Sequence, residues 1–270
     1  VHVTNSEIPA LRAVRRVSPV APYVGGKKNL ALRIIERLEG IPHAAYAEPF
    51  VGMGGVFLRR RLAPKAEAIN DANRDVANLF RILQRHYDAF IDLMRFQLST
   101  RVDFERFKAT PPDTLTDLER AARFLYLQRQ SFGGHVTGQN FAVERFGGSR
   151  YNLPRLAVLL EEVHARLASV TIECLPWRRF IERYDRPETL FYLDPPYWGC
   201  EDYYGAAFAR AEFEDLAEVL DGLKGQFVMS LNDLAEVRRI FRRFAIEAVP
   251  VPYRLSGRVT EAKEVLITAR

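Results

Sequence analysis

The chain has only two cysteines, Cys174 and Cys200, in 270 residues. Their spacing fits neither a disulfide framework nor a thiolate metal site, so a reduced, cytoplasmic setting is the expectation. Histidine is also sparse. The five residues form no ligand cluster, and no metal is expected. No apolar run approaches the ~18 residues of a membrane-spanning helix. Residues 1–22 carry Glu7, Arg12, Arg15, Arg16 and three prolines where a secretory signal would have its apolar stretch. Internal repeats and low-complexity tracts are missing, which argues against solenoids and disordered segments.

What is present is ordinary in bulk: 48% apolar and 27% charged residues, the balance of a globular chain with a full core. The distribution of charge says more. Residues 1–75 hold 12 basic and 7 acidic side chains, residues 76–150 hold 11 and 8, and residues 151–270 hold 16 and 19. The basic excess therefore lies in the first 150 residues. A polyanionic partner would account for it. So would the codon bias of a GC-rich genome, since 33 of the 39 basic residues are arginine.

Periodicity supplies coarse elements. Residues 43–47 read as a short buried strand running into Glu48-Pro49. After Gly52, Gly54 and Gly55, residues 56–62 read as a helix. Residues 66–69 form a second strand that ends at Asn70-Asp71. Val76, Leu79, Phe80 and Leu83 share one helical face. The alternation resumes with a strand over 189–193, a helix marked by Phe213, Leu216 and Leu220, and a strand over 227–231. A helix through Leu234, Val237, Phe241 and Phe244 follows, then a strand over 265–268. Alternating strands and helices imply an α/β core with a mainly parallel sheet. Residues 76–150 break the alternation and are mostly helical, with a capping box at Thr116-x-x-Glu119. A Gly-rich polar hairpin or long loop over 132–148 follows. This division gives a core of residues 1–75 and 151–270 with an inserted lobe at 76–150.

Three segments carry chemistry. Asp194-Pro195-Pro196-Tyr197 follows the 189–193 strand directly, and open parallel sheets bind ligands beyond the carboxyl ends of their strands. Two prolines remove two backbone donors and stiffen the turn. One carboxylate and fixed carbonyls remain, beside an aromatic ring. Such an acceptor array suits the exocyclic amine of a nucleobase, whose lone pair is delocalised into the ring. Two acceptors on its N–H groups would favour a pyramidal nitrogen and aim the lone pair. A Pro-rich turn with a capping Asp is the plainer reading of the same residues.

The second segment, Glu48-Pro49-Phe50-Val51-Gly52-Met53-Gly54-Gly55, lies between a strand and a helical pattern. Asp71 ends the next strand, where Rossmann-like sites place an acid on ribose hydroxyls. Phe57 stands where G-x-G-x-x-G would need its third glycine, which disfavours a dinucleotide. The third segment, Tyr23-Val24-Gly25-Gly26-Lys27-Lys28, puts two glycines before lysines at a helix start, a place suited to a carboxylate or phosphate. It is too short for a Walker motif.

Together and in this order, the three segments resemble the Dam-like (D12) family of N6-adenine DNA methyltransferases. That family shows (Trp/Tyr)-x-Gly-Gly-Lys, Glu-Pro-Phe-x-Gly-x-Gly, an acidic strand end, a recognition insert and Asp-Pro-Pro-Tyr. The resemblance covers about residues 20–268, with fainter echoes at Ser230-Leu231-Asn232-Asp233 and Glu264-Val265-Leu266-Ile267. It implies a Rossmann-like, S-adenosylmethionine-dependent core with an inserted, mainly helical DNA-recognition lobe. S-adenosylhomocysteine is the implied product, with no metal.

Residue by residue, Tyr23 and Lys27 would contact the cofactor, Lys27 near its carboxylate. Phe50 and Gly52 would line its methionine and ribose side, and Asp71 would accept from its ribose. Trp177 would stack on its adenine; a core tryptophan beside Phe180 is the alternative. Asp194 and the Pro195 carbonyl, with Pro196 stiffening the turn, would hold the target amine while Tyr197 stacks on the base. Asp194 also borders the cofactor. The base would be flipped out of double-stranded DNA before direct methyl transfer.

Candidate DNA contacts are Arg129, Gln130, His135, Gln139, Asn140, Arg145 and Arg150. The family's GATC-methylating members carry Asn-Gly-Leu-x-Arg-Tyr-Asn and Phe-Asn-Val-Pro stretches. Residues 132–144 differ from both and look closer to phage-borne members, so no GATC target is implied. A bacterial or phage-encoded monomer is expected, with a cognate restriction endonuclease as a further partner. Methylation of RNA adenine N6 or cytosine N4, and a non-catalytic DNA-binding relative, stay open as alternatives.

Overall fold

The computed structural model describes residues 9–27, 29–134, 136, 138–142, 149–199, 208–255 and 258–270, with the side chains of 251–263 left aside. The strands are β1 (Arg12–Ala13), β2 (Ala45–Glu48), β3 (Leu62–Ala63), β4 (Ala66–Asn70), β5 (Val170–Glu173), β6 (Thr189–Leu193), β7 (Gln226–Asn232), β8 (Ala245–Leu255) and β9 (Arg258–Thr268). The helices are α1 (Ala31–Glu39), α2 (Arg74–Arg85), α3 (Tyr87–Met94), α4 (Arg101–Ala109), α5 (Asp117–Gln130), α6 (Leu153–Leu167), α7 (Trp177–Tyr184), α8 (Ala211–Asp221) and α9 (Ala235–Ile240).

Strands β1 and β3 form a small antiparallel pair, and the other seven make one sheet in the order β5-β4-β2-β6-β7-β9-β8. The first five of these are parallel, and β9 runs antiparallel to both neighbours. This is the Rossmann order with a reversed strand slotted in near one edge. From β2 the chain proceeds outward through β4 and β5, then returns to build β6 and β7 on the other side. The sheet's topological switch therefore lies between β2 and β6, and their carboxyl ends are Glu48 and Leu193.

Side chains alternate across the sheet and divide the core in two. Tyr46, Leu190, Tyr192 and Val228 pack on one face with α1, α2 and α6. Ala47, Phe191, Leu193, Phe227 and Met229 pack on the other with α7, α8 and α9. Each such large side chain contributes roughly 1.5–3 kcal/mol by leaving water.

The middle of the chain is helical, as its pattern predicts. Asn73 caps α2 by accepting from Asp75 N at 2.9 Å. The Thr116–Glu119 capping box of α5 is formed in both directions. One continuous cluster joins Leu30 and Ile34 of α1 to Phe80 of α2, Phe104 of α4 and Leu125 of α5. The expected boundary at 75/76 thus falls inside α2, whose buried stripe packs on α5 and α6. Residues 140–142 pair with the end of α5 and the turn after it: Phe132 N donates to Asn140 O at 3.2 Å and Ala142 N to Gln130 O at 2.8 Å.

Two expectations change. The helix expected over 56–62 is a single 3₁₀ turn, Phe57–Arg59, because Arg60 turns extended and carries its side chain into the core. There Arg60 Nη1 donates to Glu67 Oε1 at 2.9 Å, and Arg166 grips both Glu67 oxygens at 2.7 Å. The strand expected over 265–268 is half of a long β8–β9 hairpin. Pro250 and Pro252 hide β8 in the sequence, yet β8 is an edge strand, where proline is tolerated. Among the described residues no helix is long and apolar enough to cross a membrane.

Candidate active site

A cavity of about 790 Å³ opens at the carboxyl ends of β2 and β6, a size typical of small-molecule sites. The three chemistry-bearing segments of the sequence meet here. Tyr23, Gly25, Gly26 and Lys27 line it from the N-terminal loop. Glu48, Phe50 and Gly52 line it from the loop after β2. Asp71 comes from the end of β4, and Asp194 and Pro196 from the turn after β6. Trp177 at the start of α7 also lines the cavity, as do Tyr192 and Phe208.

The loop after β2 is shaped by Gly52, whose φ of +50° favours glycine. Its N–H donates to Asp71 Oδ2 at 2.9 Å, and Asn73 N donates to Asp71 Oδ1 at 2.9 Å. A Cβ on Gly52 would come within 3.0 Å of the Tyr23 ring, so the aromatic ring lies directly over the loop. Asn70 stitches two neighbouring loops together, donating to Pro49 O at 2.9 Å and Leu175 O at 3.0 Å. Trp177 is 7% exposed and donates its indole N–H to Glu212 at 2.9 Å. Phe208 lies against both Trp177 and Phe50, with ring centroids 6.3 and 5.8 Å away. An acid on backbone amides beside an apolar aromatic wall is an arrangement for a nucleoside.

Asp194 is the best-supported carboxylate of the cavity. Its Oδ1 lies 2.7 Å from Lys27 Nζ and accepts from Ser230 Oγ at 3.0 Å. Ser230 is in turn bonded to Tyr192 OH at 2.8 Å. No described residue donates to Oδ2, which leaves that oxygen as an acceptor. Asn232, two residues along β7, clamps the same turn: its Oδ1 accepts from Trp198 N at 3.2 Å and its Nδ2 donates to Trp198 O at 2.9 Å. Tyr197 sits beside Asp194, donating to Glu264 Oε2 at 2.5 Å, with the Lys27 ammonium 4.6 Å from its ring centroid.

Burial raises all three carboxyls. Asp194 is pushed up to about 6 against the opposing pull of Lys27, and Asp71 to about 6 against two backbone N–H donors. Glu48, fully enclosed, rises to about 8, with Asp194's charge adding to the burial. Its Oε2 accepts from Tyr46 OH at 2.6 Å. At neutral pH Glu48 is therefore held mainly protonated, and the negative charge of the cavity sits on Asp71 and on Asp194, the latter paired with Lys27. Among the described residues no group of three or more His, Cys, Asp or Glu is placed to hold a metal ion.

The sequence-derived positions divide. Tyr23, Phe50, Gly52, Asp71, Trp177 and Asp194 converge on the cavity. Lys27 does too, with its ammonium 2.7 Å from Asp194 Oδ1 and donating to Gly25 O at 2.9 Å. The DNA-contact set fares differently. Gln130 is 1% exposed and donates to Ser99, and buried Gln139 donates to Gln128 at 3.2 Å. Arg129 spends its guanidinium on Arg150 O at 3.0 and 2.8 Å and on Val20 O at 2.7 Å. Arg150 donates to Ser131 O at 3.1 Å. Arg129 thereby ties α5 to the N-terminal loop, while the buried Gln130 and Gln139, expected as DNA contacts, bond to protein partners within the lobe. Asn140 is exposed, and His135 and Arg145 lie outside the described residues.

Sequence reasoning did not anticipate the roles of Ser230, Asn232, Asn70 or Phe208. The signal for the first two was Ser230-Leu231-Asn232 closing an apolar strand. Polar residues two apart share one face, and at a strand's carboxyl end that face meets the site. Phe132, 71% exposed at the turn after α5, is a further surface aromatic. Two residues along, Gly134 (φ +70°) accepts from Val24 N at 3.0 Å.

A Rossmann-ordered sheet with Asp71 on a Gly-rich loop and Asp194 beside its switch point is an architecture that binds nucleotide-like cofactors. Comparison with known proteins agrees. Residues 23–253 match the family model of D12 class N6 adenine-specific DNA methyltransferases. The chain is 26% identical to the type II methyltransferase M1.LlaDCHI of Lactococcus lactis subsp. cremoris, over 93% of this chain and 94% of that one. It is 25% identical to a DNA adenine methylase of Haemophilus influenzae, over 88% and 87%. It is 29% identical to the DNA N-6-adenine-methyltransferase of Escherichia phage P1 over 88% of this chain, which spans about a third (34%) of that larger protein.

The chain belongs to the D12 class of N6-adenine-specific DNA methyltransferases. It is an S-adenosylmethionine-dependent enzyme that methylates adenine in DNA.

Proposed function

We propose that the chain methylates N6 of an adenine extruded from double-stranded DNA, with Asp194 Oδ2 and the Pro195 carbonyl accepting from the target amine. The observation that carries this reading is the convergence of Asp71 and Asp194 on one cavity at the sheet's switch point. When bound, S-adenosylmethionine supplies an electrophilic methyl group on a sulfonium and leaves as S-adenosylhomocysteine. Asp71 offers carboxylate lone pairs beyond those used by Gly52 and Asn73, suited to ribose hydroxyls. Phe50, Trp177 and Phe208 wall the adenine end.

Lys27 and Ser230 both hold Oδ1 of Asp194, and thereby fix where Oδ2 points. Catalysis here is chiefly positioning: the amine is held with its lone pair aimed, and an N–C bond forms as the C–S bond breaks. The departing N6 proton has Asp194 as its nearest acceptor. Extrusion of the base is required because a stacked adenine cannot reach a carboxylate at the bottom of a cavity. Phe132 and Asn140 are exposed on the lobe, Phe132 as an apolar side chain able to enter a disrupted stack. We also propose a monomer in the cytoplasm of a bacterium, chromosomal or phage-encoded, working beside a restriction endonuclease as the type II relative's name suggests.

Substrate competition tests this. Labelled S-adenosylmethionine is offered with duplex DNA, single-stranded DNA and RNA, followed by digestion to nucleosides. Label should appear in N6-methyladenine from the duplex. Preference for RNA, or label in N4-methylcytosine, would contradict the reading.

A further inference from the structure

We propose that Arg59 holds the carboxylate of the cofactor's amino-acid end, leaving Lys27 to serve Asp194. The inference rests on the reading of the cavity as the S-adenosylmethionine site and names the residue that recognises one end of it.

Three cations among the described residues line the cavity: Lys27, Arg59 and Arg129. Two are committed. Lys27 is bonded to Asp194 at 2.7 Å and Gly25 O at 2.9 Å. Arg129 donates Nε and Nη2 to Arg150 O and Nη1 to Val20 O. Arg59 donates only Nη1, to Gly55 O at 2.6 Å, and no described carboxylate pairs with it. Burial and the charge of Arg16 both disfavour its protonated form. A half-buried guanidinium next to another cation, with no counterion, is an anion site by its electrostatics.

Placement supports the assignment. The loop after β2 carries the Asp71 contact at Gly52 and the Arg59 contact at Gly55. An elongated ligand with its ribose at Asp71 would therefore run along this loop toward the guanidinium. Gly55 keeps the approach open: a Cβ there would stand 3.4 Å from Lys27 N and 3.8 Å from Arg59 Nη1. Anchored through one nitrogen, Arg59 keeps an edge of its planar fork for a carboxylate, which it matches better than an ammonium does.

The test is calorimetric binding to the full chain of S-adenosylmethionine and of its decarboxylated form, which keeps sulfonium and ammonium and lacks only the carboxylate. Wild type should prefer the intact cofactor. Arg59→Ala should lose about 10- to 100-fold of affinity for S-adenosylmethionine, the range for a charge-assisted hydrogen-bonded pair. Its affinity for the decarboxylated form should be retained, so that the preference collapses. Arg59→Lys should restore part of it. An Arg59→Ala protein that keeps the preference, or loses both ligands alike, overturns the assignment. A preference abolished by Lys27→Ala and not by Arg59→Ala moves the carboxylate to Lys27 and overturns it as well. If the wild type binds neither ligand, the cofactor reading itself fails, and the inference with it.

Discussion

The ammonium of Lys27 lies 2.7 Å from Oδ1 of Asp194, joining the N-terminal glycine turn to the acceptor array after β6. This one contact ties together two motifs that lie far apart in sequence. It favours the ionised form of Asp194 in a buried place and uses one of its oxygens, leaving the other for the target amine in the proposed function.

The pair sets the acid limb of the pH profile. Asp194 is held at about 6 because burial raises it while Lys27 pulls it down. Its ionised form accepts from the amine, so methyl transfer should fall as pH drops through about 6. Lys27→Met removes the cation that lowers the value, so the acid limb should move to higher pH. Ser230→Ala should move it in the same direction by less. A limb that stays in place in Lys27→Met would contradict this coupling.

Asp71→Ala should weaken cofactor binding by roughly 10- to 100-fold, since hydrogen bonds to a charged acceptor contribute about 1.5–3 kcal/mol. DNA affinity measured without cofactor should change little. Titration calorimetry with S-adenosylhomocysteine, beside a DNA-binding assay, separates the two. An unchanged cofactor constant would reject the role.

Glu48 should leave a signature in stability. Its folded-state value of about 8 lies above the ordinary 4.5, so the folded protein binds the extra proton between those limits. Its contribution is complete below about 4.5 and is lost as pH rises through about 8. Glu48→Gln should flatten denaturation midpoints across that window relative to wild type. Parallel curves for the two proteins would show that the carboxyl is not held protonated.

The buried trio of Arg60, Glu67 and Arg166 should matter to folding more than to chemistry. Arg166→Ala leaves Glu67 with one partner in a fully buried place. A broken buried pair costs roughly 3–5 kcal/mol, readable in urea denaturation. A loss below about 1 kcal/mol, the scale of exposed pairs, would mean that water reaches the cluster.

The sheet and the cavity-lining acids were legible because both write local signals. A buried strand running into Asp194-Pro195-Pro196 places its acid beyond the strand's carboxyl end whatever the rest of the chain does. Asp71 was found by the same logic. The partner of Lys27 was not legible, since a strand–loop pairing across most of the chain leaves no local pattern. Nor was the burial of Gln130 and Gln139. The C-terminal half of α5 is enclosed by neighbouring helices and the N-terminal loop, so Gln128 and Gln130 face protein instead of solvent, and Gln139 packs onto Gln128. Strand β8 escaped notice because Pro250 and Pro252 argue against a strand wherever the edge position is unknown.

The most direct test is methyl transfer from labelled S-adenosylmethionine to unmodified genomic DNA by the wild type and by Asp194→Asn, with nucleoside analysis and cofactor binding measured on both. Label in N6-methyladenine for the wild type, and its loss in a variant that still binds S-adenosylhomocysteine, is the predicted result. Turnover by Asp194→Asn comparable to that of the wild type would contradict the account at its centre.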